Sequence, residues 1–244
     1  GRYTDAEKTY KEAINITAEA LGTNHPDYAT SLNNLAMLYY TYYTQQQYTD
    51  VEPLFKEAIN ITAKALGKNH PDYATSLNNL AELYRVQGRY TDAEPLFKEA
   101  INITAKALGK NHPDYAISLN NLGVLYTEQG RYTHSEPLFK EAININARAL
   151  GKNHPDYATS LNNLAMLYYS QRRYTDVEPL YKEAINVNAE ALGKNHPNYA
   201  TSLNNLARLY EAQGRYTDAE KTYKEAINIT AEALGKNHPD YATR

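Results

Sequence analysis

The stretch His70-Pro71-Asp72-Tyr73-Ala74-Thr75-Ser76-Leu77-Asn78-Asn79-Leu80-Ala81-Glu82-Leu83-Tyr84 decides the fold. Pro71 has the fixed φ of a first helical turn, and Asp72 favours the positive end of a helix. Leu77, Leu80, Ala81 and Tyr84 then fall at i, i+3, i+4 and i+7, one helical stripe. Gly88 closes this helix, because glycine tolerates left-handed backbone. Thr91-Asp92-Ala93-Glu94 reads as a capping box that opens a second helix. Pro95 is placed in its first turn, where no intrahelical partner is lost. Phe97, Ala100, Ile101 and Ala105 form the apolar face, and Gly109 ends the helix. No strand periodicity competes, so the chain reads as all-α.

The same helix pair recurs along the chain. His-Pro occurs at His25, His70, His112, His154, His196 and His238, at spacings of 45, 42, 42, 42 and 42 residues. The longer first interval comes from extra residues in Thr41-Tyr42-Tyr43-Thr44-Gln45-Gln46-Gln47. A fixed period of this size means an array in which each unit packs on its neighbours. Complete pairs are expected at 25–67, 70–109, 112–151, 154–193 and 196–235, with an orphan second helix at 1–22 and a truncated first helix at 238–244. That makes about eleven helices in one solenoid. The chain begins on Gly1 in mid-pattern, so it reads as an excerpt of a longer array. Gly1–Gly22 and Gly214–Gly235 are identical, which points to duplication. The open repeat ends are expected to favour a homo-oligomer.

Composition excludes several kinds of chemistry. There is no Cys, which removes disulfides, thiolate nucleophiles and Cys-ligated metals. A net charge of −3 without a long basic run argues against nucleic acid. No run approaches ~18 apolar residues and no signal-peptide core is present, so no membrane is expected and a cytoplasmic location is. The His-Pro histidines recur on the order of 20 Å apart, too far for one metal ion. A His70-Asp72-Ser76 triad would recur in every repeat, whereas catalytic constellations are singular. Neither enzyme activity, cofactor nor metal is expected. His134 stands alone where other repeats carry Asp, and reads as drift. The sequons at Asn15, Asn60, Asn102 and Asn228 read as helix residues.

Leu77, Leu80, Ala81, Tyr84, Ala93, Phe97 and Ala100 are spaced like the tetratricopeptide repeat signature, with Leu for its first Trp and Ala for its Gly. Leu-Asn-Asn-Leu-Ala, Gln-Gly-Arg-Tyr, Ala-Glu-Pro-Leu-Phe and Leu-Gly-Lys-Asn-His-Pro resemble the kinesin light chain subclass, whose second helix is longer. The resemblance spans the chain. It implies an α-α superhelix whose first helices line a concave groove, and a non-catalytic scaffold that holds an extended segment of a protein partner.

Comparing the repeats with one another locates the free positions on the first helix. Leu77-type and Tyr84-type positions never change. Three columns vary: Met37, Glu82, Val124, Met166, Arg208; then Tyr40, Arg85, Thr127, Tyr169, Glu211; then Thr41, Val86, Glu128, Ser170, Ala212. At 100° per residue they share a face with the first Asn of each Asn pair. Met37 with Tyr40 and Met166 with Tyr169 suit apolar anchors, whereas Glu82 with Arg85 and Arg208 with Glu211 read as pairs at i, i+3. The mixed signs depart from the basic groove of kinesin light chains. Tyr40, Tyr42, Tyr43 and Tyr169 fit no repeated column, and Tyr10, Tyr181 and Tyr223 replace a Phe97-type core residue.

The pairs Asn33-Asn34, Asn78-Asn79, Asn120-Asn121, Asn162-Asn163 and Asn204-Asn205 are unusual inside helices. One reading is an amide ladder for a peptide backbone. The other is a bond to the adjacent repeat that fixes its packing. By analogy with the family, the second Asn of each pair is the better ligand candidate.

Overall fold

The computed structural model describes residues 2–42 and 48–234. The tyrosine at 43, the rest of the insertion at 44–47, and the expected helix at 238–244 lie outside the described residues. The described residues form helices α1 (Arg2–Leu21), α2 (Pro26–Tyr42), α3 (Tyr48–Ala65), α4 (Pro71–Val86), α5 (Tyr90–Ala107), α6 (Pro113–Glu128), α7 (Tyr132–Ala149), α8 (Pro155–Ser170), α9 (Tyr174–Leu192), α10 (Pro197–Ala212) and α11 (Tyr216–Leu234), and no strand. They fall into two compact units, Gly1–Lys110 with α1–α5 and Asn111–Arg244 with α6–α11. None of these helices is long and apolar enough to cross a membrane.

Each first helix is started by its His-Pro. The His154 ring precedes Pro155 as the helix cap, and its Nδ1 accepts from the Asp156 backbone N–H at 3.2 Å. His25, His70, His112 and His196 do the same. The ring thus satisfies one of the amides a helix start leaves orphaned. Glycine closes these helices: Gly88 has φ 72, and Arg89 N–H reaches back to Tyr84 O at 2.8 Å.

The second helices differ from expectation at their start. α5 begins at Tyr90 with Arg89 as its cap and no side-chain capping bond. The expected Thr91–Glu94 box does not form, because the Asp92 and Ala93 N–H groups are already bonded to Arg89 O, both at 3.1 Å. Pro95 therefore lies two residues deeper than expected, inside the helix, and removes one backbone bond. The buried stripe is Ala93, Phe97, Ala100, Ile103 and Thr104. Ile101 and Ala105 are only half-buried, because the stripe follows the i, i+4, i+7 path from Ala93.

In the first unit, Tyr73, Ala74 and Leu77 of α4 pack on Ala100 and Ile103 of α5, with Ile59 and Ala63 of α3 behind them. In the second, Tyr157, Ala158 and Leu161 of α8 pack on Ala184 and Val187 of α9. The invariant Tyr column bonds as well as packs. Tyr84 donates to Glu52 of the preceding second helix at 2.9 Å, and Arg89 both pairs with Glu52 at 2.8 Å and lies over the Tyr84 ring at 3.9 Å. Tyr168, Glu136 and Arg173 repeat the arrangement in the second unit.

Candidate functional site

The two members of each Asn pair have different surroundings. Asn33 donates its amide to Ser76 Oγ at 2.8 Å, Asn120 to Ser160 at 2.8 Å, and Asn162 to Ser202 at 3.0 Å. Each bond ties one first helix to the next. Asn146 and Asn188 of the second helices reach the same serines at 3.1 Å. The Oδ1 atoms of Asn33, Asn78, Asn120, Asn162 and Asn204 are buried. Asn33, Asn120 and Asn162 thus spend their amides on the packing between pairs, which matches the second of the two readings of the Asn pairs. Asn79, Asn121, Asn163 and Asn205 are partly exposed, Asn34 is exposed, and none of the five has a side-chain hydrogen bond among the described residues.

Two further expectations on the variable face need correction. Thr127 is 6% exposed. It bonds Gly123 O at 2.9 Å and Ser135 Oγ at 2.7 Å, because this repeat has a serine hydroxyl where others have Ala or Val. Arg208 and Glu211 do not pair. Glu211 accepts from Tyr223 at 3.0 Å, while Arg208 lies 5.7 Å from the centre of the Tyr169 ring. The other charged pair does form: Arg85 grips Glu82 with two bonds, at 2.7 and 2.8 Å. Tyr40 also donates to Glu82, at 3.1 Å. Met37, Met166 and Val124 are half-buried.

In the second unit the variable face sinks into a cleft of about 460 Å³. Met166, Tyr169 and Ser170 come from the end of α8, and Asn205 and Arg208 from α10. Arg172, Tyr174 and Tyr181 complete it from the following turn and α9. The Tyr169 and Tyr174 rings lie 5.6 Å apart at a tilt of 49°. No carboxylate lines the cleft, and neither Arg172 nor Arg208 has an acidic partner among the described residues. Tyr181 is 3% exposed, and its hydroxyl makes no hydrogen bond among the described residues. Burial raises its pKa well above the usual phenol value, opposed by the Arg208 charge, so it remains a donor at neutral pH.

Sequence reasoning put Met166, Tyr169, Asn205 and Arg208 on this face but missed Arg172, Tyr174 and Tyr181. The signal was present in the columns. Arg172 stands where the other pairs have Gly88, Gly130 and Gly214, and it holds φ 59 without being glycine. Tyr181 stands where three earlier pairs have Phe55, Phe97 and Phe139. Among the described residues no cluster of His, Asp and Glu is arranged to hold a metal ion.

The family model described as the tetratricopeptide repeat matches residues 1–42, 40–104, 76–148, 125–190, 156–232 and 205–243. A search of curated proteins finds no match to the chain. Among solved structures, the chain is similar to BtubC (BKLC) from P. vanneervenii, at 24% identity over 97% of this chain and 92% of that one, with a TM-score of 0.71. It is similar to a putative kinesin light chain of Podosopora anserina with nearly identical repeats, at 26% identity over 86% and 98%, with a TM-score of 0.63. The Rap protein complexed with Competence and Sporulation Factor shares the fold at 15% identity and a TM-score of 0.71, over 93% of this chain and 64% of its own.

Proposed function

Because the chain belongs to the tetratricopeptide repeat family, in its kinesin light chain-like form, we propose that it is a non-catalytic scaffold holding an extended segment of a protein partner. The segment lies along the first-helix face of the second unit, its backbone bonded by Asn121, Asn163 and Asn205. One observation carries the reading: the second Asn of each pair keeps its amide uncommitted, while Asn33, Asn120 and Asn162 are bound to serines. An amide both donates and accepts, so a row of them matches the alternating groups of an extended chain without reading its sequence. The Rap protein, seen in complex with a factor, supports this at the level of fold. Nucleic acid and membrane have no place in the reading.

The test is capture of partners from the source lysate by the protein and by its Asn121→Ala, Asn163→Ala, Asn205→Ala variant. Loss of capture with unchanged helicity and melting supports the groove; unchanged capture removes it. A second reading, self-association, is favoured by Ile16 and Leu21 of α1, which are 60% and 51% exposed. Under it, Ile16→Lys changes the sedimentation coefficient and leaves partner capture intact.

A further inference from the structure

Three departures from the repeat pattern meet at the cleft between α8, α9 and α10. Arg172 occupies a left-handed position that three other pairs give to glycine. A side chain there is strained. Tyr181 stands where three pairs have phenylalanine and adds a hydroxyl that finds no partner among the described residues. Arg208 replaces Met, Val or Glu and lies over Tyr169 rather than against a carboxylate. All three line the same space.

Together they make a donor-rich, acid-free site with aromatic walls. Two guanidiniums provide forked donors suited to phosphate oxygens, and Tyr181 adds a third donor from the floor. Met166, Tyr169 and Tyr174 offer apolar surface for a ring. A volume of about 460 Å³ is ample for one large side chain. A carboxylate side chain neutralises only one of the two guanidiniums and leaves the ring surface empty. An inorganic phosphate uses the cations but not the rings.

We propose that this cleft takes a phosphorylated tyrosine of the partner segment, its ring against Tyr169 and Tyr174 and its phosphate held by Arg172, Arg208 and the Tyr181 hydroxyl. The inference rests on the groove reading for the rest of the segment. It makes this array a reader of the partner's phosphorylation state.

The experiment is a calorimetric titration of the full chain with a short phosphotyrosine peptide carrying neutral flanks. The same peptide unphosphorylated, the same peptide with Glu at that position, and inorganic phosphate are titrated alongside. The phosphopeptide binds at least about tenfold tighter than the other three, and Arg172→Gly and Arg208→Gln each weaken it by about tenfold. Tyr181→Phe weakens it by about threefold. Arg172→Gly also melts higher, so its loss of binding is not unfolding. Equal affinity for the Glu peptide, equal affinity for inorganic phosphate, or indifference to both Arg changes overturns the proposal. The two readings separate through Asn121→Ala with Asn163→Ala, both outside the cleft. If these weaken all peptides alike and phosphate makes no difference, the groove stands and the phosphotyrosine site falls. If phosphopeptide binding survives them but not the Arg changes, the site stands and the groove falls.

Discussion

Asn120 donates its side-chain amide to Ser160 Oγ at 2.8 Å, joining α6 to α8 through a bond with no access to water. Ser160 also receives Asn146 at 3.1 Å and donates to Asp156 O at 3.0 Å, so it keeps partners if Asn120 is lost. Asn120→Ala therefore costs about 1 kcal/mol, the low end for a buried bond, since its own orphaned Oδ1 leaves with it. Asn121→Ala, one residue along and unbonded, changes stability by less than about 0.5 kcal/mol. Urea unfolding of the two variants measures the difference.

Arg172→Gly relieves a left-handed arginine at φ 59. A gain of about 1 kcal/mol is expected, part of it offset by the greater freedom glycine gives the unfolded chain. Thermal melts followed by circular dichroism decide the sign. A lower melting temperature means that the arginine is bonded in a way that outweighs its backbone cost.

At the start of α7, His134 occupies the position where the other second helices pair Asp with the preceding Arg. Arg173 meets Asp176 at 2.8 Å and Arg215 meets Asp218 at 2.9 Å. His134→Asp supplies that partner to Arg131 and places a negative charge at a helix N-terminus. The exposed site limits the gain to about 0.5 kcal/mol. It is read from the shift in the urea midpoint, and it vanishes in high salt.

The Tyr157 hydroxyl is pushed up to about 12 by burial, and by the Glu183 carboxylate that accepts from it at 2.7 Å. The folded chain thus holds this proton more tightly than the unfolded chain does. Its contribution is complete below about pH 10, the ordinary phenol value, and is lost as pH rises towards 12. Tyr157→Phe lowers the melting temperature near neutrality, where that contribution is present, and flattens its fall between about pH 10 and 12.

The helix pairs were legible because apolar spacing and the His-Pro and glycine punctuation are local signals, repeated until chance is excluded. What escaped depends on distant residues. The role of the first Asn stayed open between ladder and packing because its serine partner lies 40 residues away, as Asn162 and Ser202 do. The Thr91 capping box failed because Arg89 had already closed the turn through its backbone. Tyr181 was assigned to the core, where it does sit, but its hydroxyl points to a cleft that only three assembled helices create. Variation between columns located the face; only packing divided it into bonded and free residues.

The seam from Asn120 to Ser160, and again from Asn162 to Ser202, uses the same two residue types at the same phase of the repeat. Removing one 42-residue period between them leaves Asn120 opposite Ser202, so the seam bond has its partner again. Array length is therefore a quantity that recombination can adjust in whole steps, lengthening or shortening the chain without rewriting the seam.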